Sequence, residues 1–228
     1  MPDAVPVRRR APRGQGAALR EEVLNAAIDL LAETGSEEAV SLRAVAQRVG
    51  VSVPSIYLHF ADKKALLDAV CEQVFAALDV AMTQAAAIAD DPFQGLRRMG
   101  VAYVRFARDH PEQYRIVMMR PDARHAADEA AAKHAAAGDA FQHLLDGVAA
   151  CLATGVLEGD PVTLGLQLWS ATHGVASLLI AKPDFPWPPL EDFVDATICA
   201  AGLGLAAGTR LPDGLALDDV VRRLEGLR

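Results

Sequence analysis

Residues 41–67 read SLRAVAQRVGVSVPSIYLHFADKKALL. Ser41 stands where an N-cap is expected, and the apolar residues after it recur at helical spacing until Gly50, which predicts a helix of about two turns. Ser52 and Pro54 predict the start of a second short helix, because serine caps helices and proline fits their first turn. Two short helices joined by a turn indicate a helix-turn-helix, whose second helix lies in the major groove of DNA.

A longer helix is predicted in front of this pair. From Ala17 onward, apolar residues recur at steps of three and four with charged residues between them, and Gly35 ends the pattern. The two short helices would rest on the apolar face of this first helix. The spacing also suits an ordinary helical bundle, so periodicity alone leaves that alternative open.

The outward face of the second short helix carries no acidic residue. Hydroxyl, aromatic and imidazole groups are expected there, and no carboxylate would repel a phosphate backbone. The face suits DNA, and it consists of Ser52, Val53, Ser55, Tyr57 and His59.

The same part of the chain closely resembles the DNA-binding domain of the TetR family of bacterial repressors, from about Arg20 to Val70. The diagnostic residues are Ile56, Tyr57, His59, Phe60, Lys63, Leu66 and Leu67. The resemblance implies that Tyr57 and Lys63 hold phosphates. It also implies contacts to bases or backbone from Arg43, Ser52, Val53, Ser55 and His59. The residues themselves leave three alternatives open: Lys63 solvated, His59 packed or capping, and Arg43 paired with a nearby acid.

The formal net charge of −8 is unevenly distributed. Residues 1–64 carry nine Lys or Arg against eight Asp or Glu, whereas residues 65–228 carry an excess of acid. Beside a DNA-binding domain, the basic N-terminal segment is expected to be a flexible arm that reaches the adjacent minor groove; a solubilising tail is the alternative. The arm contains Arg13 as well as the three arginines expected to contact DNA, which are Arg8, Arg9 and Arg10.

Composition favours an all-α fold. Hydrophobic residues make up 52% of the chain, much of this fraction is alanine, and the β-branched or aromatic clusters typical of strands are sparse. The three cysteines lie far apart, and no signal-peptide core follows the N-terminal arginines, so a soluble, cytoplasmic protein without disulfides is expected. The most apolar stretch, residues 168–181, is too short and too polar to span a membrane.

We therefore predict three parts: a basic arm over residues 1–16, a three-helix DNA-binding domain over 17–64, and a helical ligand-binding and dimerisation domain over 65–228. Proline and glycine boundaries divide the last part into helices. The predicted spans are 62–89, 92–110, 114–119, 126–152 as one helix or a pair around Gly138, 162–181, 190–207 and 217–227.

The bulky side chains of the C-terminal part fall on a few of these helices. In a bundle built mostly from alanine, methionine and aromatic residues are where an apolar pocket would form, although each of them could equally be ordinary core. The candidates are Met99, Tyr103, Phe106, Tyr114, Met118, Phe141, Trp169 and His173. A subgroup of the TetR family has a similar Trp…His-Gly helix in its regulatory domain, and residues 109–115 also resemble that subgroup.

The two late helices, 162–181 and 190–207, contain small residues that permit close approach of another helix. By resemblance, they would pair with their copies in a four-helix dimer interface; a monomeric bundle could use the same residues internally. The interface candidates are Gly174, Ser177, Leu178, Ile198, Ala201, Gly202 and Leu205.

No catalytic motif stands out, and we expect neither an enzyme nor a cofactor. The histidines at 125, 134 and 143 lack the spacing of a metal site. The resemblance implies a homodimeric regulator, most simply a repressor, that binds palindromic operator DNA and is released by a small apolar effector. A helical carrier protein or an enzyme with a vestigial helix-turn-helix is the alternative, and activation of transcription also stays open.

Overall fold

The computed structural model describes residues 16–119, 127–208 and 222, and within these ranges the chain is helical with no strand. The predicted all-α fold class is confirmed. The helices are α1 (Gly16–Thr34), α2 (Leu42–Val49), α3 (Val53–Tyr57), α4 (Lys63–Ala87), α5 (Pro92–Asp109), α6 (Pro111–Tyr114), α7 (Ala127–Ala153), α8 (Pro161–Ala181) and α9 (Leu190–Gly208). A π-helical turn, Arg115–Met119, follows α6. Apart from Arg222, the helix predicted at 217–227 lies outside the described residues.

Local sequence signals set most helix starts. The Ser41 hydroxyl accepts a hydrogen bond from the Ala44 N–H at 3.1 Å, as an N-cap should. Gly50 ends α2 with φ of 76°, a conformation that glycine adopts without strain. Carboxylates cap α4, α5 and α8 in the same way as Ser41 caps α2, from Asp62, Asp91 and Asp160.

Two local predictions need correction, and a third, one helix or two around Gly138, is confirmed in its first alternative. Ser52 occupies the N-cap position of α3, but its hydroxyl lies 2.8 Å from the Ser55 hydroxyl and caps no backbone N–H. Helix α6 begins at Pro111 rather than near Tyr114, because proline fits the first turn of a new helix. Helix α7 runs through Gly138 as one helix.

The N-terminal helices enclose a core of their own. It is built from α1, α2, α3 and the first half of α4, with Val23, Val45, Ile56 and Val70 fully buried. Within α4, the members of this core extend to Val74. The domain boundary expected at residue 64 therefore falls in the first turn of α4, whereas the packing divides the two cores about three turns later.

The C-terminal helices form two adjoining cores. The second core of the molecule joins α4, α5, α8 and α9, and it begins at Leu78 and Met82 of α4. The third core lies between α5, α7, α8 and α9. Helix α8 is long and apolar enough to span a membrane by length and composition alone, unlike the shorter run considered in the sequence. In the fold it packs against α5, α7 and α9, which buries part of its apolar surface and leaves the rest exposed.

Helix α6 connects the two halves of the molecule. It packs against α1 as well as α5, and the turn at Gly35 (φ of 61°) brings the end of α1 beside the Glu112 carboxylate. Glu112 forms an ion pair with Arg115, which also donates to the Ile180 carbonyl of α8 at 3.2 Å. A continuous set of contacts thus leads from α8 through α6 to α1.

Candidate nucleic-acid interface and aromatic cleft

The recognition helix α3 is anchored by two apolar side chains. Ile56 and Phe60 are buried in the N-terminal core, which turns the opposite side of α3 to solvent. Tyr57 is 55% exposed there, with its hydroxyl available for a phosphate. Leu58, at 83%, is more exposed still. Sequence reasoning missed Leu58 because leucine is among the residues most often buried.

The other predicted DNA contacts differ in exposure. Ser52 and Arg43 are exposed, and Arg43 forms no ion pair with any residue that the structure describes, so the alternative of an acid-paired arginine gains no support. Val53, Ser55 and His59 are half-buried, and Val53 packs partly against the N-terminal core.

The Lys63 side chain is fixed by a hydrogen bond to the backbone of the same domain. Its ammonium group donates to the Glu37 carbonyl at 2.6 Å, in a partly buried position between α4 and the turn before α2. A lysine ammonium has three hydrogens, so this bond leaves others available. The solvated-lysine alternative does not describe this geometry.

Two further arginines act inside the domain. Arg48 forms a double hydrogen bond with the Glu33 carboxylate, which ties α2 to α1 and lowers the pKa of Glu33. The Arg20 guanidinium lies 5.3 Å from the centre of the Phe60 ring, within cation–π range. Both contacts brace the surface on which α3 rests.

The first described residue of α1, Gly16, lies beside this surface. Arg8, Arg9 and Arg10 lie outside the described residues, but α1 begins at Gly16, where a Cβ atom would lie 3.6 Å from His59 Cε1. The chain therefore enters α1 beside the C-terminal end of the recognition helix.

In the C-terminal part, five of the eight predicted pocket residues lie side by side in one aromatic group, here called the aromatic cleft, whose closed end is the buried pair Tyr103 and Tyr114. The Tyr103 and Tyr114 hydroxyl oxygens are 2.9 Å apart, and they lie 3.2 Å and 2.6 Å from His173 Nδ1. Trp169 continues the row with its ring centre 5.9 Å from that of His173, and Phe141 lies 6.3 Å beyond Trp169. The cleft is thus polar at its closed end and apolar along its side.

Burial controls protonation at the closed end of this cleft. Burial raises the pKa of Tyr103, and hydrogen bonds to its hydroxyl partly offset this rise. Burial also raises the pKa of Tyr114, and the neighbouring Tyr103 raises it further. In contrast, burial lowers the pKa of His173, since a charged imidazole would lose its hydration. All three groups are therefore neutral at neutral pH.

The other three predicted pocket residues lie elsewhere. Phe106 stacks on His110 with ring centres 4.8 Å apart and bridges the cores, and Met118 packs against the second core. Met99 is buried and borders a separate cleft of about 320 Å³ between the end of α4, the start of α5 and α7. Side-chain bulk alone could not reveal that these residues fall outside the aromatic cleft.

The predicted dimer residues also separate into two groups. Ile198 and Gly202 are buried inside the protomer. The Cγ2 of Ile198 occupies the space next to Gly100, and the ring of Phe93 occupies the space next to Gly202. The Ser177 hydroxyl oxygen is buried as well. These three residues therefore do not lie on an open face. Ala201 and Leu205 are half-buried, with Leu205 against the third core.

An open apolar face nevertheless exists on α8 and α9. Leu178 is 55% exposed, and nothing lies within 4 Å of a Cβ placed on Gly174. Leu203 is the large apolar side chain exposed on α9, whereas Val162, Leu166 and Trp169 are exposed on the opposite side of α8 from Leu178. Sequence periodicity missed Leu203 because α9 is apolar on both of its faces.

No metal-binding cluster occurs within the described ranges. His143 instead lies 2.7 Å from an Asp79 carboxylate oxygen, so that contact joins α7 to α4. His125 lies outside the described residues.

Two protein-family models match the chain in succession. The model described as bacterial regulatory proteins, tetR family, matches residues 23–70, and the tetracyclin repressor-like C-terminal domain matches residues 96–201. The first range covers most of α1 through the start of α4, and the second runs from α5 into α9. Both halves of the fold are thereby matched.

Known relatives agree with these matches. The tetracycline repressor protein class D of Escherichia coli is 42% identical over 57 residues, which are 25% of this chain and 26% of that protein. The alignment thus spans about a quarter of that relative. A solved protein of unknown function from Rhodococcus sp. RHA1 superposes with a TM-score of 0.70 at 27% identity, over 89% of this chain and all of that one. The regulator PfmR from Thermus thermophilus superposes with a TM-score of 0.62 at 23% identity, over 80% and 98% of the two chains.

Proposed function

Because the chain belongs to the TetR family of bacterial regulators, we propose that it binds palindromic operator DNA as a homodimer and represses transcription until a small apolar effector releases it. The observation that carries this proposal is the solvent-exposed, acid-free face of α3 on a tightly packed three-helix base. A function of this kind takes place in the cytoplasm.

The DNA contacts divide into positioning and reading roles. Tyr57 and Lys63 would bind phosphates on either side of α3, while Arg43, Ser52, Val53, Ser55 and His59 would lie along the major groove. The exposed Leu58 adds an apolar group suited to a thymine methyl or a sugar. Arg8, Arg9 and Arg10 would enter the neighbouring minor groove, a role supported by the position of Gly16, the first described residue of α1, beside His59.

The open apolar face of α8 and α9 supports dimerisation. Two recognition helices must be held one helical turn of DNA apart, which requires a fixed contact between protomers. We assign that contact to Gly174, Leu178 and Leu203, with Ala201 and Leu205 at its edge. Gly174 admits a close helix approach, since no atom of its own protomer occupies the space next to it.

The aromatic cleft supports effector binding. Its walls are apolar and its closed end carries hydrogen-bonding groups, as small-molecule sites usually do. Tyr114 belongs to α6, and α6 contacts α1, so a ligand that moves Tyr114 also moves the base of the DNA-binding face. Helix α4 has residues in both cores, and its swing would change the distance between the recognition helices.

A carrier or an enzyme with a vestigial helix-turn-helix is the less favoured function, because the named relatives of established role are repressors. Such a protein would fill the aromatic cleft but show no affinity for DNA. An activator would share every DNA contact described above, so the sign of the transcriptional response needs its own measurement with a promoter reporter.

The deciding experiment is selection of bound sequences from randomised duplex DNA, followed by titration of the selected duplex at two salt concentrations. We expect a palindrome whose affinity falls steeply with salt, because phosphate contacts release counterions. Recovery of no sequence by folded, dimeric protein would contradict the proposal and favour the carrier.

A further inference from the structure

Three polar atoms form a triangle at the closed end of the aromatic cleft: the hydroxyl oxygens of Tyr103 and Tyr114, and Nδ1 of His173. All three sides are within hydrogen-bond distance, and the shortest, 2.6 Å, joins Tyr114 to His173. Both tyrosines are buried, with 3% and 1% of their surface exposed. Their hydroxyl hydrogens must therefore find acceptors inside the protein.

The position of the imidazole hydrogen decides whether both hydroxyls are satisfied. If Nδ1 carries no hydrogen, Tyr114 donates to Nδ1 and Tyr103 donates to the Tyr114 oxygen, so both hydroxyl hydrogens are used. If Nδ1 carries the hydrogen, one tyrosine can still donate to the other, but the second hydroxyl hydrogen has no acceptor in the described part of the chain. The Ser177 hydroxyl lies one turn along α8 from His173, near enough to Tyr114 to oppose the rise in the pKa of Tyr114. The Ser177 oxygen has no hydrogen-bond partner, however, so it does not accept the second hydroxyl hydrogen.

This hydrogen count selects the neutral tautomer with its hydrogen on Nε2. Burial, which lowers the pKa of His173, favours the neutral ring in addition. Nε2 has no hydrogen-bond partner among the residues that the structure describes, and it is not one of the buried unpartnered atoms, which are Arg97 Nε and Ser177 Oγ. Its N–H group therefore faces accessible space.

We propose that His173 is the hydrogen-bond donor of the effector site, and that Nε2–H binds an acceptor oxygen, either a carbonyl or a carboxylate, on a ligand whose apolar body lies along Trp169 and Phe141. The inference rests on the proposed effector-binding role of this cleft. Trp169 is 39% exposed beside His173, so it offers ring surface to such a body. A hydrocarbon would leave Nε2–H unpaired, and a protonated amine, which has no acceptor, would place a second donor against it.

The tautomer is tested first, on the ligand-free full-length protein, by nitrogen NMR with ¹⁵N-labelled histidine. His173→Gln identifies the His173 signals by their loss. We expect a protonated Nε2 and a bare Nδ1. A hydrogen on Nδ1 overturns the proposal.

Two tyrosine variants test the cause of the tautomer. The double variant Tyr103→Phe/Tyr114→Phe removes both hydroxyls that lie within hydrogen-bond distance of Nδ1, so the share of the Nδ1–H tautomer should rise severalfold. Tyr103→Phe is the matched control, because it keeps the bond from Tyr114 and should leave the tautomer unchanged. An unchanged tautomer in the double variant would contradict hydrogen bonding from the tyrosines as its cause.

The ligand class is tested by calorimetry with 2-octanone, octanoate and n-octane as probes. We expect at least one of the two oxygen-bearing probes to bind about tenfold more tightly than n-octane, an advantage that His173→Phe abolishes. The ketone and carboxylate arms separate a neutral from an anionic ligand. Equal binding of all three, or binding of none, overturns the assigned class. DNA affinity, measured on the same preparation without probes, reports separately on the proposed regulatory function.

Discussion

The Lys63 ammonium donates to the Glu37 carbonyl at 2.6 Å, which fixes the first turn of α4 against the turn that precedes α2. This bond orients a cation at the edge of the recognition helix before any DNA is present. Preorganisation of this kind reduces the entropy lost when a side chain contacts phosphate.

Lys63→Met is therefore expected to affect both folding and DNA binding. Loss of the partly buried bond should lower the free energy of unfolding by about 1 kcal/mol, and loss of the charge should reduce the salt dependence of DNA affinity by about one ion. Urea unfolding and salt titration measure the two effects. Lys64→Met is the matched control, since Lys64 pairs with Asp68 on the surface of α4. A normal salt dependence in Lys63→Met would refute the phosphate contact.

Tyr57→Phe isolates the exposed hydroxyl of the recognition helix. The side chain is 55% exposed, so stability should stay within about 0.5 kcal/mol of the parent. DNA affinity should fall by a similar factor on specific and non-specific duplexes, because a phosphate contact carries no sequence information. Binding assays on both duplexes provide the comparison. A change in base preference instead would assign Tyr57 to readout.

Leu178→Glu tests the open face of α8 and α9. Two like charges brought together across a two-fold axis should dissociate the dimer and abolish tight operator binding. Sedimentation velocity measures the mass in solution. Ile88→Glu supplies the control, because Ile88 is 68% exposed at the end of α4, away from that face. A dimer that survives Leu178→Glu unchanged would place the interface elsewhere.

Gly147→Ala probes the tight contact between α7 and α5. A Cβ on Gly147 would lie 2.7 Å from Leu96 Cδ2, so overpacking should outweigh the helix preference of alanine and leave a net destabilisation of up to about 2 kcal/mol. Gly204→Ala should instead be neutral or stabilising by up to about 1 kcal/mol, because the space beside Gly204 is empty and alanine favours helix. Thermal unfolding distinguishes them. Equal midpoints would contradict the close approach of α7 to α5.

The buried imidazole predicts a specific pH dependence. Because the folded pKa of His173 is lowered, the unfolded chain takes up a proton near pH 6.5 that the folded protein resists. The contribution of His173 to stability is therefore fully present above that pH and is lost as the pH falls. His173→Gln should reduce the loss of unfolding free energy between pH 7.5 and 5.5. An identical pH profile in the variant would exclude this linkage.

The sequence was most informative where local chemistry decides structure. Ser41, Gly50 and Asp62 could be assigned their capping roles without tertiary information, because a cap depends on residues within one turn. Ser52 was assigned a side-chain cap wrongly, since a neighbouring hydroxyl at Ser55 competes for it. Local signals thus predicted the N-terminal domain well.

The C-terminal part was less predictable because its helices are apolar on more than one face. Ile198 and Leu203 lie on the same helix, but only packing shows that the first faces the protomer core and the second faces solvent. The meeting of Tyr103, Tyr114 and His173 joins three helices through contacts far apart in sequence. Bulk and aromatic character suggested these residues as pocket candidates. The hydrogen bonds among them could be identified only from the three-dimensional structure.

Helix α4 also determines how this protein can be recombined with its relatives. Its first half completes the N-terminal core as far as Val74, and its second half enters the other core from Leu78. In a hybrid regulator joined at residue 64, the DNA-binding domain would lose the residues of α4 that complete its core. The crossover should instead lie between 74 and 78, so that each parent contributes the half-helix that fits its own core.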